Sequence, residues 1–168
     1  MEFAVTVIGR DRVGIVADVA GRLAALGANL TDSTMTLLRG HFAMTLVCTA
    51  QATADQLREA LGDLSGDLLV SVSEVGADEP ARTDGSSYVL SVHGADRLGI
   101  VAAVARAVAD AGGNITDLST RLAGTLYVLI AEVDLPPGVA DDLSKRLTEL
   151  AVNLDVEVSL RPAEADLL

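Results

Sequence analysis

The stretch VIGRDRVGIVADVAGRLAALGANLTD, residues 7–32, recurs as VHGADRLGIVAAVARAVADAGGNITD, residues 92–117. With the chain slid by 85 residues (96 − 11), about half of the positions from Val7 to Leu37 match those from Val92 to Leu122. Chance would give about one in ten for a chain this rich in Ala, Val and Leu. The chain is a duplication. Between the copies, the polar segment GADEPARTDGS carries Pro80 and two glycines and reads as a linker. The expected organisation is a first module at 1–75, a linker at 76–86, a second module at 87–161 and a C-terminal tail at 162–168.

Each copy reads the same way. Glu2 to Ile8, and Tyr88 to His93, are short apolar strands. Asp11 precedes a helix whose apolar residues Val13, Val16, Ala20 and Leu23 have the spacing of one face. Gly27, and in the second copy Gly112-Gly113, stop that helix as C-terminal caps. Two apolar strands follow around tight turns at Arg39-Gly40 and Ala123-Gly124. A second helix starts at Thr53, where Gln56 gives capping-box spacing and Leu57, Leu61 and Leu64 form its stripe. Its counterpart starts near Pro136-Pro137 and runs through Leu143, Leu147 and Leu150. The strands 68–75 and 154–160 close the copies. The order is βαββαβ twice, an α+β fold of two ferredoxin-like modules, each a four-stranded antiparallel sheet with two helices on one face. Strands 42–48 and 125–133 are apolar at most positions rather than alternating, so cover is expected on both of their faces.

Composition narrows the function. Twelve Lys and Arg face 24 Asp and Glu, a net charge of −12. Such a surface repels phosphate backbones, and Phe3, Phe42, Tyr88 and Tyr127, the only aromatics, give no stacking platform, so no direct nucleic-acid ligand is expected. Cys48 is the only cysteine, which excludes an intramolecular disulfide and a thiolate metal cluster. His41 and His93 are too few for a histidine-rich metal site. No apolar run approaches a membrane span, and Arg10-Asp11-Arg12 interrupts any signal core, so a soluble cytoplasmic protein is expected. No Ser/His/Asp set recurs between the copies and no Gly-rich phosphate loop or spaced acid pair stands out, which points away from an enzyme and from a cofactor.

A strand, then D-R-x-G-I-V, then a helix ending in G-x-N-[LI]-T-D resembles the ACT domain, a small-molecule-binding regulatory module. Two such modules filling residues 2–75 and 87–161, with no catalytic domain beside them, resemble the glycine cleavage system transcriptional repressor family. One departure is that the family often has proline between the arginine and the glycine, where this chain has Val13 and Leu98. Without that proline the loop lacks a φ constraint. The resemblance implies ligands placed between modules and a setting in glycine metabolism and transcription.

The motif residues suit a zwitterion. Asp11-Arg12-Val13-Gly14 and Asp96-Arg97-Leu98-Gly99 lie between a strand and a helix N-terminus, where unpaired N–H groups and the helix dipole favour an α-carboxylate. Gly14 and Gly99 permit close approach to the backbone, Asp11 and Asp96 can accept from an α-ammonium group, and Asn29 and Asn114 offer both donor and acceptor. Arg12 and Arg97 complete the candidate ligand-binding set, although solvation or salt bridging would also account for them. Each residue has a purely structural alternative: Asp11 and Asp96 as N-caps, the glycines as packing sites, the asparagines as left-handed residues after a helix stop. Gly14 and Asn29 stand at opposite ends of one helix, roughly 20 Å apart at 1.5 Å per residue. One small ligand cannot touch both, which leads to composite sites pairing the Asp11 loop with Asn114 and the Asp96 loop with Asn29, or the equivalent across two chains. Cys48 and Met44 fit a core strand, His93 a strand position and His41 an exposed one.

The expected function is a non-enzymatic sensor of a small amino acid, glycine or serine first, that signals through a DNA-binding regulator or a metabolic enzyme. A homodimer is expected, because the apolar strands need cover. The alternatives are a regulatory subunit of an amino-acid biosynthetic enzyme and a ligand-free dimerisation module.

Overall fold

The computed structural model describes residues 1–64, 68–76 and 85–163. The chain divides into two compact units, with the break inside 77–84. That stretch, most of the expected linker, lies outside the described residues, as do residues 164–168 of the expected tail. Module 1 comprises β1 (Glu2–Arg10), α1 (Ile15–Ala25), β2 (Asn29–Leu38), β3 (His41–Thr49), α2 (Ala54–Gly62) and β4 (Leu69–Val75). Module 2 repeats it as β5 (Ser86–Ala95), α3 (Ile100–Asp110), β6 (Asn114–Ala123), β7 (Leu126–Leu135), α4 (Ala140–Leu154) and β8 (Val156–Pro162). The sheets have the orders β2-β3-β1-β4 and β6-β7-β5-β8, and every neighbouring pair is antiparallel. These are the two βαββαβ modules that the duplicated pattern implies.

Local chemistry explains most boundaries. After α1, Gly27 takes φ +69°. Its N–H donates to Ala24 O at 2.9 Å while that of Ala28 donates to Leu23 O at 3.0 Å, the paired bonds of a Schellman stop. Gly112 and Gly113 repeat the arrangement on Ala109 and Val108, at 2.9 and 3.0 Å. Arg39 and Gly40, at φ +50° and +82°, make the two-residue turn between β2 and β3. Thr53 and Gln56 form a reciprocal capping box at the start of α2, with Leu57, Leu61 and Leu64 buried along it. The counterpart helix starts later than expected, at Ala140, after Gly138 in a left-handed conformation. It ends at Leu154, where Asp155 turns the chain at φ +54° and delays β8 to Val156.

Two expectations are corrected. First, the central strands continue to Arg10 and Ala95, so α1 and α3 begin at Ile15 and Ile100 and Asp11 and Asp96 are not their N-caps. Second, the buried face of α1 is Ile15, Val19 and Leu23, whereas Val13 is fully exposed and Val16 is exposed. The segment IVADVAGRLAA is apolar on nearly every side, so two stripes have helical spacing and the sheet covers one. Within its own module β3 buries Phe42, Met44, Leu46 and Cys48 on one face and leaves Thr45 exposed, while Leu126 and Ile130 on β7 are 48% and 46% exposed.

Each module has its own core. Phe3, Val5 and Val7 of β1 meet Val19 and Leu23 of α1 and Leu57 and Leu61 of α2. Leu90, Val92, Val104, Val108, Leu143 and Leu147 do the same in module 2. Cys48 is fully buried, and loss of hydration pushes its thiol pKa up, which leaves it an inert core side chain. Among the described residues no helix is long and apolar enough to cross a membrane. Leu57→Ala should lower stability by about 2–5 kcal/mol by opening a cavity. Val13→Ala, at an exposed position, should change it by less than about 0.5 kcal/mol. Urea unfolding followed by circular dichroism compares the two, and equal losses would contradict this assignment of the α1 face.

Candidate functional site

The site is built where each central strand turns into its first helix. Asp11 closes the strand, its N–H donating to Gly40 O at 3.1 Å. Gly14 is the N-cap of α1 at φ +84°, and Gly99 that of α3 at φ +90°. Neither helix start receives a side-chain cap. Gly14 O accepts the Asp18 N–H and Gly99 O the Ala103 N–H, each at 2.9 Å. The helix dipole and first-turn amides thus face the loop without a side-chain oxygen on them, the arrangement that attracts an anion.

A hollow lies over each turn. In module 1 it measures about 650 Å³ and is walled by the Asp11–Gly14 loop, Val16, Ala20, Met35 and Phe42. In module 2 it measures about 480 Å³, with the Asp96–Gly99 loop, Val101 and Tyr127 in its wall. Other hollows, one between α1 and α2 and one beside α4 and β8, lack the repeated loop. Asp11 and Asp96 are exposed beside these cavities, as an ammonium-accepting carboxylate must be.

The structure brings together Asp11, Arg12 and Gly14 on one loop and Asp96, Arg97 and Gly99 on the other. It does not bring Asn29 to the Asp11 loop or Asn114 to the Asp96 loop. Each asparagine is the exposed first residue of the strand after the helix, with eleven helical residues between. Neither is left-handed; Gly27 and Gly112 hold that conformation instead. The arginines diverge. Arg12 Nη1 lies 2.7 Å from Asp18 Oδ2, and Arg97 Nη2 lies 3.1 Å from Asp155 Oδ2.

The threonine in G-x-N-[LI]-T-D has a role that spacing alone did not reveal. Thr31 and Thr116 sit where the register of β2 and β6 shifts. Their hydroxyls donate across the bulge to Val47 O at 3.2 Å and Glu132 O at 3.3 Å. Their identity in both copies was the available signal. His93, on β5, lies 3.0 Å from Glu157 through Nε2, and His41 is exposed after the turn.

Two small modules with a glycine-capped turn after the central strand define a tandem βαββαβ protein. The chain matches the ACT domain over residues 2–78 and 87–161 and belongs to that family. Among solved structures it resembles an unknown protein from Galdieria sulphuraria at 30% identity and TM-score 0.82, covering 96% of this chain and 98% of that one. It shares its fold with a protein provisionally described as a glycine cleavage system transcriptional repressor, at 19% identity and TM-score 0.73 over 96% of each chain. A UPF0237 protein of Listeria monocytogenes is 38% identical over 66 residues, 39% of this chain and 74% of that protein.

Backbone conformation makes the glycine requirement testable apart from any ligand. A Cβ built on Gly14 meets nothing within 4 Å, so Gly14→Ala adds no clash and pays only for the left-handed backbone. The expected loss is about 1–2 kcal/mol, read from the urea midpoint. An unchanged midpoint would remove the requirement.

Proposed function

We propose that this protein is a non-enzymatic regulator that binds a small free amino acid, glycine or serine first, between ACT modules and passes the signal on by protein contact. The observation that carries the reading is the duplicated loop: a left-handed glycine at an uncapped helix start, beside an exposed aspartate, under a hollow. Amides facing a carboxylate and a carboxylate facing an ammonium are the two halves of amino-acid recognition. The close glycine backbone favours a ligand with little side chain.

The eleven residues of α1 or α3 put roughly 16 Å between loop and asparagine. The proposed sites are therefore composite, the Asp96 loop with Asn29 and the Asp11 loop with Asn114, in one chain or across a homodimer. The setting is transcriptional control of glycine cleavage, which the fold likeness to a protein of that description supports. With a net charge of −12, the effect on transcription would pass through a DNA-binding partner rather than through contact with DNA.

A thermal-shift panel of the twenty amino acids at millimolar concentration tests the reading. Ligand at 100 times its dissociation constant adds about 2.7 kcal/mol to stability. Shifts with glycine or serine support the reading, and a flat panel favours a ligand-free dimerisation module. If the panel responds, pull-down of a biosynthetic enzyme rather than a DNA-binding regulator would favour the regulatory-subunit alternative.

The composite geometry has its own signature. Asp96→Ala and Asn29→Ala should each weaken binding by about 1–3 kcal/mol. Their double mutant should lose less than the sum, because both residues share one ligand. Asp96 with Asn114, at the two ends of α3, should be additive. Calorimetric titration of the three single and two double variants decides, and coupling within the module instead would refute the inter-module site.

A further inference from the structure

The face of the module 2 sheet opposite its buried core carries charges in an ordered pattern. Arg121 on β6 aligns across the sheet with Val128, His93 and Glu157 on β7, β5 and β8. Four residues away along the strands, Asp117 aligns in the same way with Glu132, Val89 and Arg161. Four residues of strand and three strand spacings each measure roughly 14 Å. Arg121, Glu157, Arg161 and Asp117 therefore stand near the corners of a square, all exposed, with like signs on each diagonal. Glu132 adds to the acidic corner at Asp117. Between the corners lie half-buried Val128 and Val89 and exposed Ile130. The polar groups among them are already paired, Ser91 Oγ with Ser159 Oγ at 2.7 Å and His93 Nε2 with Glu157 Oε2 at 3.0 Å. Among the described residues Arg121, Arg161 and Asp117 form no ion pair. On the matching face of module 1 the corners are Thr36, Leu69, Ser73 and Asp32, so the pattern belongs to module 2.

We infer that this face is where two copies of the chain pair, module 2 sheet on module 2 sheet, about a two-fold axis. A two-fold lying in the interface along the strands sets Arg121 over the partner's Glu157 and Asp117 over the partner's Arg161. A two-fold across the strands sets Arg121 over the partner's Asp117 and Glu157 over the partner's Arg161. In either case every corner meets its opposite. A two-fold along a diagonal, which crosses the strands at right angles, would set like over like. The charges thus favour the aligned packing of twisted sheets, with strands within about 30° of each other, and oppose the orthogonal one. A pattern that is its own complement under a two-fold is what an isologous interface requires, and this makes a second copy the occupant. Four strands about 4.8 Å apart and about 30 Å long cover roughly 550 Å², so two faces bury roughly 1,100 Å², enough for a specific interface. An aliphatic centre ringed by charges is the usual anatomy of such a surface. The inference goes beyond the functional reading, because no amino acid enters it.

Sedimentation equilibrium of the full chain at micromolar concentration tests this against the 17.3 kDa monomer. Wild type should form a dimer. R121E/R161E makes all four corners acidic and should raise the dimer dissociation constant by about tenfold or more, since like charges then face each other. R22E/R106E makes the same change in net charge, from −12 to −16 (−12 − 4), at exposed helix positions off this face, and should dimerise as wild type does. D117R/R121E/E157R/R161E inverts the pattern at an unchanged net charge of −12 and should restore the dimer. Circular dichroism of each variant confirms that it is folded. A monomeric wild type would overturn the inference and leave the face to a different partner. R121E/R161E as dimeric as wild type, R22E/R106E losing as much as R121E/R161E, or a folded quadruple variant that stays monomeric would overturn it as well. None of these outcomes touches the functional reading, which the amino-acid panel tests separately.

Discussion

In each module the central strand must leave the sheet and enter a helix within four residues, and a left-handed backbone at Gly14 or Gly99 permits that turn. Any L side chain there would be strained, and a conventional Ser or Asp cap would require an extended backbone instead. The turn therefore stays uncapped, and the amides that a cap would satisfy remain available. Ile15 and Ile100, the next residues, are buried, which anchors each helix to its sheet immediately after the turn. The loop is thus held from both sides, by Asp11 bonded to the hairpin at Gly40 and by the isoleucine in the core.

Much of this was legible before the fold was known, and the legible part has a common character. Repetition, the Gly27 and Gly112 stops, the Thr53–Gln56 box and the Arg39-Gly40 turn are all local. In each, a few adjacent residues determine the outcome. The misreadings arose where a tertiary contact decides. The apolar segment after Gly14 offers two helical stripes, and only the sheet selects Ile15, Val19 and Leu23. Asp11 has the chemistry of an N-cap, but β1 pairs with β3 as far as Arg10 and consumes the position in the strand end. The candidate site was half legible for the same reason. The loop residues are contiguous and read out together, whereas the partners of Arg12 and Arg97 come from Asp18, in the helix, and Asp155, 58 residues away.

Duplication supplies an internal control. The positions that preserve the turn are the same in both copies: Asp, Arg, Gly, Ile and Val in sequence, with a Schellman glycine and a bulge threonine further on. The differences fall around it. Ile8 and Leu69 face each other across β1 and β4, where His93 and Glu157 form a polar pair across β5 and β8. Phe42 is replaced by Tyr127 and Asp18 by Ala103. Core positions keep their apolar character, as folding demands of each module. Freedom to diverge is greatest at the rim of the loops, where polarity can change at little cost in packing.

That rim also carries the least hydrated-looking choice in the sequence. Val13 and Leu98 stand at the apex of the two turns, fully exposed, between an arginine and the left-handed glycine. A single exposed aliphatic residue is ordinary, but here both copies place one on the backbone segment that ends in the free amides. A group bound to those amides would restrain the same few residues that present the aliphatic side chain. An equilibrium between conformations shifts only by a ligand's difference in affinity for them. On the proposed function, a ligand's contacts to the amides and the exposed aliphatic side chain would fall on adjacent residues of one turn. In a chain with a net charge of −12, an apolar apex is also where a neighbouring surface can approach with the least repulsion.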